Sequence, residues 1–288
     1  MKSEKIKKRN GLGSELWDRY RKSPMAMVGL VIFAVILFGA IFADVIAPYD
    51  KAIDMAGDRF ELFSLAHPMG TDNFGRDLLA RMVHGSRISI IMGIGTTVIA
   101  MLIGGTLGAV AAYKGGRTDN IIMRLNDILI SIPPILMALA IVASLGTGAF
   151  NIIVAVSIAC VPRFARVIRA TVLTVVEEEY IIAARSYGAS DMRIILSYIL
   201  PNAFGPIMVQ GTMSVAGMVL ETSALSFLGL GIKLPKPEWG AMLSEASTYM
   251  RNAPQLVIIP GIAIVLFGVS LNLIGDGLRD ALDPRLRD

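Results

Sequence analysis

Few residues in this chain have types and spacings that suggest chemistry, and the densest group lies between Val176 and Asn202, which read VEEEYIIAARSYGASDMRIILSYILPN. Glu177, Glu178 and Glu179 suit the first turn of a helix, where the dipole is positive. Ala183 and Ala184 offer a small surface that another protein's groove could approach closely. Gly188 removes the penalty on positive φ at a corner, and Pro201 suits the start of a further helix, where no intrahelical N–H bond is lost. Two short helices joined at a glycine fit the stretch. Its chemistry is recognition of a partner, or it is an ordinary solvated helix-turn-helix; the residues alone leave both open.

Glu221 stands inside an apolar run, where a charge costs about 2.5–3.5 kcal/mol on insertion scales. It therefore faces a pore, a cavity or a partner, or else it packs protonated at a subunit seam. Asp127 follows Arg124 by three residues, a spacing that places the two on one helix face as a structural pair. His67 and His84 are the only histidines, and metal sites need three or four placed ligands, so no metal is expected. There is no Gly-x-x-x-x-Gly-Lys-Ser/Thr phosphate loop and no nucleophile constellation, so no catalytic residues are assigned and the chain should not hydrolyse ATP itself. The single cysteine, Cys160, cannot form an intrachain disulfide.

The elements that hold these residues follow from composition. Of 288 residues 54% are hydrophobic and only 17% charged, with a mean hydropathy of +0.63, a surplus that must face lipid. The net charge of +4 does not point to nucleic acid, because lysines and arginines flank apolar runs and form no stripe interleaved with aromatics. The first apolar run exceeds the usual signal-peptide core and has bulky Ile41 two before Ala43, so it reads as a retained helix.

Backbone amides inside hydrocarbon must pair within their own segment, and a helix of about 20 residues crosses roughly 30 Å. Six stretches approach that length: Met25 to Ala43, Ile88 to Tyr113, Ile121 to Leu145, Phe150 to Val167, Phe204 to Leu230 and Leu256 to Ile274. The fold class is therefore all-α, a polytopic membrane protein. Pro133-Pro134 predicts a kink or unwinding in the third stretch that could shape a pathway. Gly104 and Gly108 form a GxxxG face for close helix packing, within the subunit or against another. With the amino terminus inside, 19 of the 27 Lys and Arg residues fall on the cytoplasmic side and 8 outside, so both termini are expected in the cytoplasm. The divisions are a basic segment 1–24, an outer loop 44–87, an inner loop of about 168–202, an outer loop 231–255 and a tail 275–288. Gly70, Thr71, Asp72, Gly75, Arg76 and Asp77 combine turn formers with balanced charge, which predicts an ordered outer loop.

Ala183-Ala184, Gly188 four residues after Ala184, and Leu200-Pro201 resemble the cytoplasmic "EAA" loop of permease subunits in bacterial ATP-binding-cassette (ABC) importers. Ile182 stands where that family usually has its glutamate, and Tyr198 where it has isoleucine. IAPYD (Ile46–Asp50), HPMGTDNFGRDLLAR (His67–Arg81), IPP (Ile132–Pro134), LSFLGLG (Leu225–Gly231), PEWGAMLSEA (Pro237–Ala246) and GDGLRDALDPRL (Gly275–Leu286) are similar, in order, to the second-subunit permeases for dipeptides, oligopeptides and nickel. The resemblance implies a type I importer permease fold over 25–288 and residence in a bacterial or archaeal inner membrane. It also implies a coupling helix formed by Ala183, Ala184, Arg185, Gly188, Ala189, Ser190, Asp191, Leu200 and Pro201. The implied partners are a sister permease, two cytoplasmic ATPases that hold the ATP and Mg, membrane lipid, and a solute-binding protein docking at Gly70–Asp72 and Gly75–Asp77. No cofactor belongs to this chain. Dipeptides or oligopeptides are the expected cargo, with nickel, glutathione or another small solute as alternatives within the family. An ion-gradient-driven transporter is the rival of another class, and it would need buried ionisable groups in internal repeats.

Overall fold

Apolar length dictates the architecture, since each long run closes its backbone bonds by coiling. The computed structural model describes residues 12–282. In chain order the helices are α1 (Leu12–Tyr20), α2 (Pro24–Ile41), α3 (Ala43–Ile46), α4 (Asp50–Ile53), α5 (Leu78–Lys114), α6 (Gly116–Ile130), α7 (Pro134–Leu145), α8 (Ala149–Val176), α9 (Glu179–Ser186), α10 (Asp191–Ile194), α11 (Leu200–Leu225), α12 (Trp239–Ser247) and α13 (Gln255–Leu282). Among the described residues the only β pairing is an isolated bridge, Thr71 to Asp77. The basic segment 1–24 and the tail 275–288 reach beyond this range, and residues 1–11 and 283–288 lie outside the described residues.

Five helical runs are long and apolar enough to cross a membrane: α2, α5, α8, the run Asp191–Leu230 and α13. The expected third span is not continuous. It is built from α6 and α7, bent by 83° at the break over Ser131, Ile132 and Pro133. Pro133-Pro134 causes the break, because neither proline has an N–H to continue the ladder and Pro134 is preset to begin a new helix.

Two segments expected outside the spans carry helix at their edges. Asp77 caps α5 by accepting a bond from the Ala80 N–H at 2.8 Å, so helix begins at Leu78 and includes the last ten residues of the 44–87 segment. At 37 residues α5 is about 55 Å long, well beyond the hydrocarbon thickness. In the 168–202 segment α8 continues to Val176. The end of the segment belongs to a helix that begins at Asp191, not at Pro201. A π-helical turn, Ile195–Ile199, widens the ladder just ahead of that proline, and the Leu200 N–H reaches back to the Ile195 carbonyl.

α5, α8 and α11 make the centre of the bundle. Gly104 and Gly108 decide how α5 meets α8: a Cβ at either would overlap the carbonyl oxygen of Val161 or Ala165. The GxxxG face therefore packs inside the subunit. Ion pairs complete the wall, Arg169 to Asp119 through two bonds of 2.5 Å and Arg166 to Asp127 at 2.8 Å. Asp127 thus pairs with an arginine of α8 and not with Arg124, since packing α6 against α8 supplies a partner across the helices. Apolar clusters fill three levels: around Trp239 and Phe267, around Ile152 and Phe164, and around Val172, Ile181, Ile194 and Ile199.

A single methyl group separates close approach from ordinary packing on α5. Gly108→Ala should destabilise the subunit by about 1–3 kcal/mol, because backbone must move to admit it. Gly95→Ala, whose Cβ would meet Ile153 at 3.7 Å, should leave stability unchanged or raise it by up to about 1 kcal/mol through helix propensity. Thermal unfolding of the purified protein in detergent compares the two.

Candidate functional site

The segment after α8 folds as a hairpin whose corner obeys a known helix-ending geometry. Glu177 closes α8, Glu178 precedes α9, and only Glu179 stands in the first turn. The expectation that all three acids share that turn is corrected by the longer α8. At the other end of α9, the Ala189 N–H bonds the Ala184 carbonyl at 3.1 Å and the Gly188 N–H bonds that of Arg185 at 2.9 Å. This is a Schellman motif, with Gly188 at φ +76° in the position that must be left-handed. A Cβ at Gly188 would meet nothing within 4 Å, so the demand on this residue is conformational, not steric.

The motif also separates the two alanines. Ala183 faces out, while Ala184 is buried and packs with Ala189 in the cluster beneath the hairpin. Ala184 therefore offers no surface to a partner, contrary to the expectation that both would. Ile181, Ile194 and Ile199 are buried with it, and their neighbours Ile182, Tyr187, Met192 and Leu196 project outward, with Tyr187 91% exposed. Exposed apolar groups gathered on one segment are the pattern of a protein or membrane contact. Arg185, Ser190, Asp191, Leu200 and Pro201 are also exposed, and Ala189 is half-buried.

Sequence reasoning passed over the residue that ties this hairpin to the bundle. Tyr113, at the end of α5, donates from its hydroxyl to Asp191 Oδ1 at 2.7 Å, and the Arg185 guanidinium lies 4.8 Å from the centre of its ring. One aromatic thus holds both arms of the hairpin. Its only signal in the sequence was an aromatic at the end of a span, the common mark of a membrane interface.

The far end of the bundle is closed by a cap of charged groups. His67 Nδ1 lies 2.7 Å from Asp77 Oδ2. Arg76 bonds Asp72 at 2.6 Å and also Glu245, while Arg81 meets Glu245 at 2.8 Å and Asp72 at 3.2 Å. Two guanidinium groups and two carboxylates thereby neutralise each other out of water, which a buried ionic group requires. Glu238 caps α12 by accepting from the Gly240 and Ala241 N–H groups at 2.8 Å and from Ser89 Oγ, and burial pushes its carboxyl above the ordinary range.

The loop is ordered as expected, but Gly70, Thr71, Asp72, Gly75, Arg76 and Asp77 are all buried. They cannot themselves touch a docking protein; they build the cap, and Leu62, Phe63 and Leu65 form its exposed part. Arg81 and Glu245 escaped assignment because their pairing spans 164 residues, which no spacing in the chain announces. His84 Nε2 meets the Ala47 carbonyl at 2.8 Å, so both histidines have structural partners. Among the described residues no group of three or more His, Cys, Asp or Glu side chains could hold a metal. Between the two ends, Pro134 and Glu221 come together on one cavity beside the broken span, while Pro133 forms the break.

A bundle of five helical runs long and apolar enough to cross a membrane and one broken span, with an ionic cap at one end and an exposed hairpin at the other, defines a polytopic membrane protein. The chain belongs to the family described as binding-protein-dependent transport system inner membrane components, which matches residues 104–288; residues 11–68 match the N-terminal transmembrane domain of oligopeptide transport permease C. It is 40% identical over 285 residues to a di/tripeptide transport system permease protein of Pseudomonas aeruginosa, covering 95% of this chain and 92% of that one. A dipeptide permease protein of Alkalihalophilus pseudofirmus is 42% identical (95% and 90%), and a glutathione permease protein of Pectobacterium atrosepticum 42% (95% and 91%). In fold it resembles a chain of the inward-facing MetNI methionine ABC transporter, with a TM-score of 0.58 at 18% identity, covering 70% of this chain and 96% of that one. The fold is that of a type I ABC importer permease, a non-catalytic membrane subunit.

Glu245→Gln retains the shape of the cap while removing one of its two anions, leaving two guanidinium groups against Asp72 alone. Breaking such a buried pair should cost about 3–5 kcal/mol, visible as a lowered unfolding temperature in detergent.

Proposed function

We propose that the chain forms one half of the pore of an ATP-driven importer that passes dipeptides or oligopeptides from a solute-binding protein into the cell. The observation that carries this reading is full-length similarity, at 40–42% identity, to permease proteins for dipeptides and di/tripeptides. Glutathione, the cargo named for other relatives, is itself a short peptide, so the shared chemistry is a small molecule with charged ends. A sister permease supplies the other half of the pore. Two ATPase subunits bind ATP and Mg and grip the hairpin around Gly188, whose exposed Ile182, Tyr187, Met192 and Leu196 provide the surface. The excess of Lys and Arg on one side supports a hairpin and both termini in the cytoplasm, with the cap outside, facing the binding protein.

Mechanically, the hairpin is built to move with the bundle. Ile181, Ala184 and Ile194 root it in the core, and Tyr113 joins both arms to α5. A pull on its exposed face therefore reaches α5, α8 and α11 together, tilting helices where a loose loop would only flex. Alternating access of the pore follows from that tilt.

Reconstituted with its sister permease, ATPases and binding protein, the wild-type complex should take up labelled alanyl-alanine only with ATP; uptake driven by an ion gradient without ATP would overturn the reading. Gly188→Val should abolish uptake while leaving membrane insertion intact, since a left-handed residue costs about 1–2 kcal/mol for ordinary side chains and more when β-branched. Gly188→Asn should retain most of the uptake, because asparagine tolerates this region and the surrounding space is open. Equal loss in both variants would count against a conformational role.

A further inference from the structure

Beside the break between α6 and α7 lies a cavity of about 280 Å³, walled on one side by Ile132 and Pro134 and on the other by Cys160, Arg163 and Arg166 of α8 and Glu221 of α11. Helix packing gives its depth. Gly104 abuts Val161 and Phe164, so Arg163 is level with a point ten residues before the end of α5, about 15 Å along its axis. That lies inside the apolar run Ile88 to Tyr113, nine residues before its inner end, and so toward the cytoplasmic side on which Arg163 is counted.

Charge at this depth is costly unless it is paired or serves a pathway. Arg166 is paired, to Asp127 at 2.8 Å. Arg163 forms no ion pair among the described residues, and Glu221 receives only the Cys160 thiol, at 3.3 Å. The cavity thus retains a guanidinium and a carboxyl group that have no ion-pair partner among the described residues.

We propose that this cavity is a transient binding site for zwitterionic short peptides, with Arg163 receiving the terminal carboxylate and Glu221 the terminal ammonium. The proposal rests on reading the chain as half of a peptide pore. A guanidinium matches a carboxylate through two parallel bonds, whereas a carboxylate suits a compact ammonium. Arg163 is three residues, about 4.5 Å of rise, from Cys160, which touches Glu221, so the two groups line one cavity at different levels. The volume lies just below the usual 300–1,000 Å³ of small-molecule sites. An open site of this kind holds its ligand weakly, as a pathway requires.

Cys160, the only cysteine of the chain, reports on occupancy from inside the site. In the assembled transporter without ATP, its alkylation by N-ethylmaleimide is timed by mass spectrometry of the peptide that contains it. Alanyl-alanine at twice its Kd should slow the reaction about threefold. N-acetyl-alanyl-alanine amide, with the same backbone and neutral ends, should not slow it. Arg163→Gln and Glu221→Gln should each abolish protection while the complex still co-purifies. Should Cys160 react too slowly to time, Leu129→Cys in a Cys160→Ser background places the reporter on the opposite wall.

Equal protection by both peptides, protection by neither, or protection that survives Arg163→Gln would overturn the site, protection by neither being expected if the sister subunit covers these charges. ATP-driven uptake of alanyl-alanine in the same vesicles separates the two readings. Uptake without protection sinks the site and leaves the pore; absence of uptake sinks the pore as well.

Discussion

Every backbone N–H and C=O within hydrocarbon must find its partner inside the protein, and the rest of this structure follows from that requirement. It makes the spans helices, and it permits irregular backbone only where protein or a cavity surrounds it. Departures from the regular ladder, which include a second π turn at Ser226–Leu230, keep to this requirement. The 83° break at Ser131–Pro133 opens onto a cavity, and the π turn before Pro201 keeps the ladder closed by reaching one residue further back. Helices without wide polar faces can then approach only through small residues, which is why Gly104 and Gly108 set the distance between α5 and α8.

The same scarcity of polar partners organises the charges. At the cap, Arg76 and Arg81 share Asp72 and Glu245, so four ionised groups leave water as a neutral set. At the inner wall, Arg166 and Arg169 each have an aspartate. Arg163 and Glu221 depart from this pattern, and their position beside the broken span gives the departure its meaning. Apolar exposure follows a parallel logic on the hairpin: Ile181, Ala184 and Ile194 are drawn into the bundle, while Ile182, Tyr187 and Met192 are left facing outward.

Where the sequence reading went astray, a tertiary contact overrode a local rule. Arg124 was the nearest cation to Asp127 along the chain, yet α8 brought Arg166 to it. Pro201 had the chemistry of a helix start, but a helix already under way from Asp191 absorbed it through a wider turn. The cluster Gly70–Asp72 and Gly75–Asp77, for which the family resemblance implied docking, is buried, with Arg76 paired to Glu245, 169 residues distant.

Hydropathy, the placement of Lys and Arg, the proline pair and the glycine before Ala189 suffice to establish a membrane bundle, its breaks and its exposed hairpin. These features act through the local backbone and its solvent, and both are written in short windows of residues. Which charges are neutralised, which alanine of the pair is hidden, and that Tyr113 holds the hairpin were decided by helix packing. The contacts between helices join residues about 40 to 170 positions apart, whose meeting depends on the geometry of whole helices and on no spacing within any one of them.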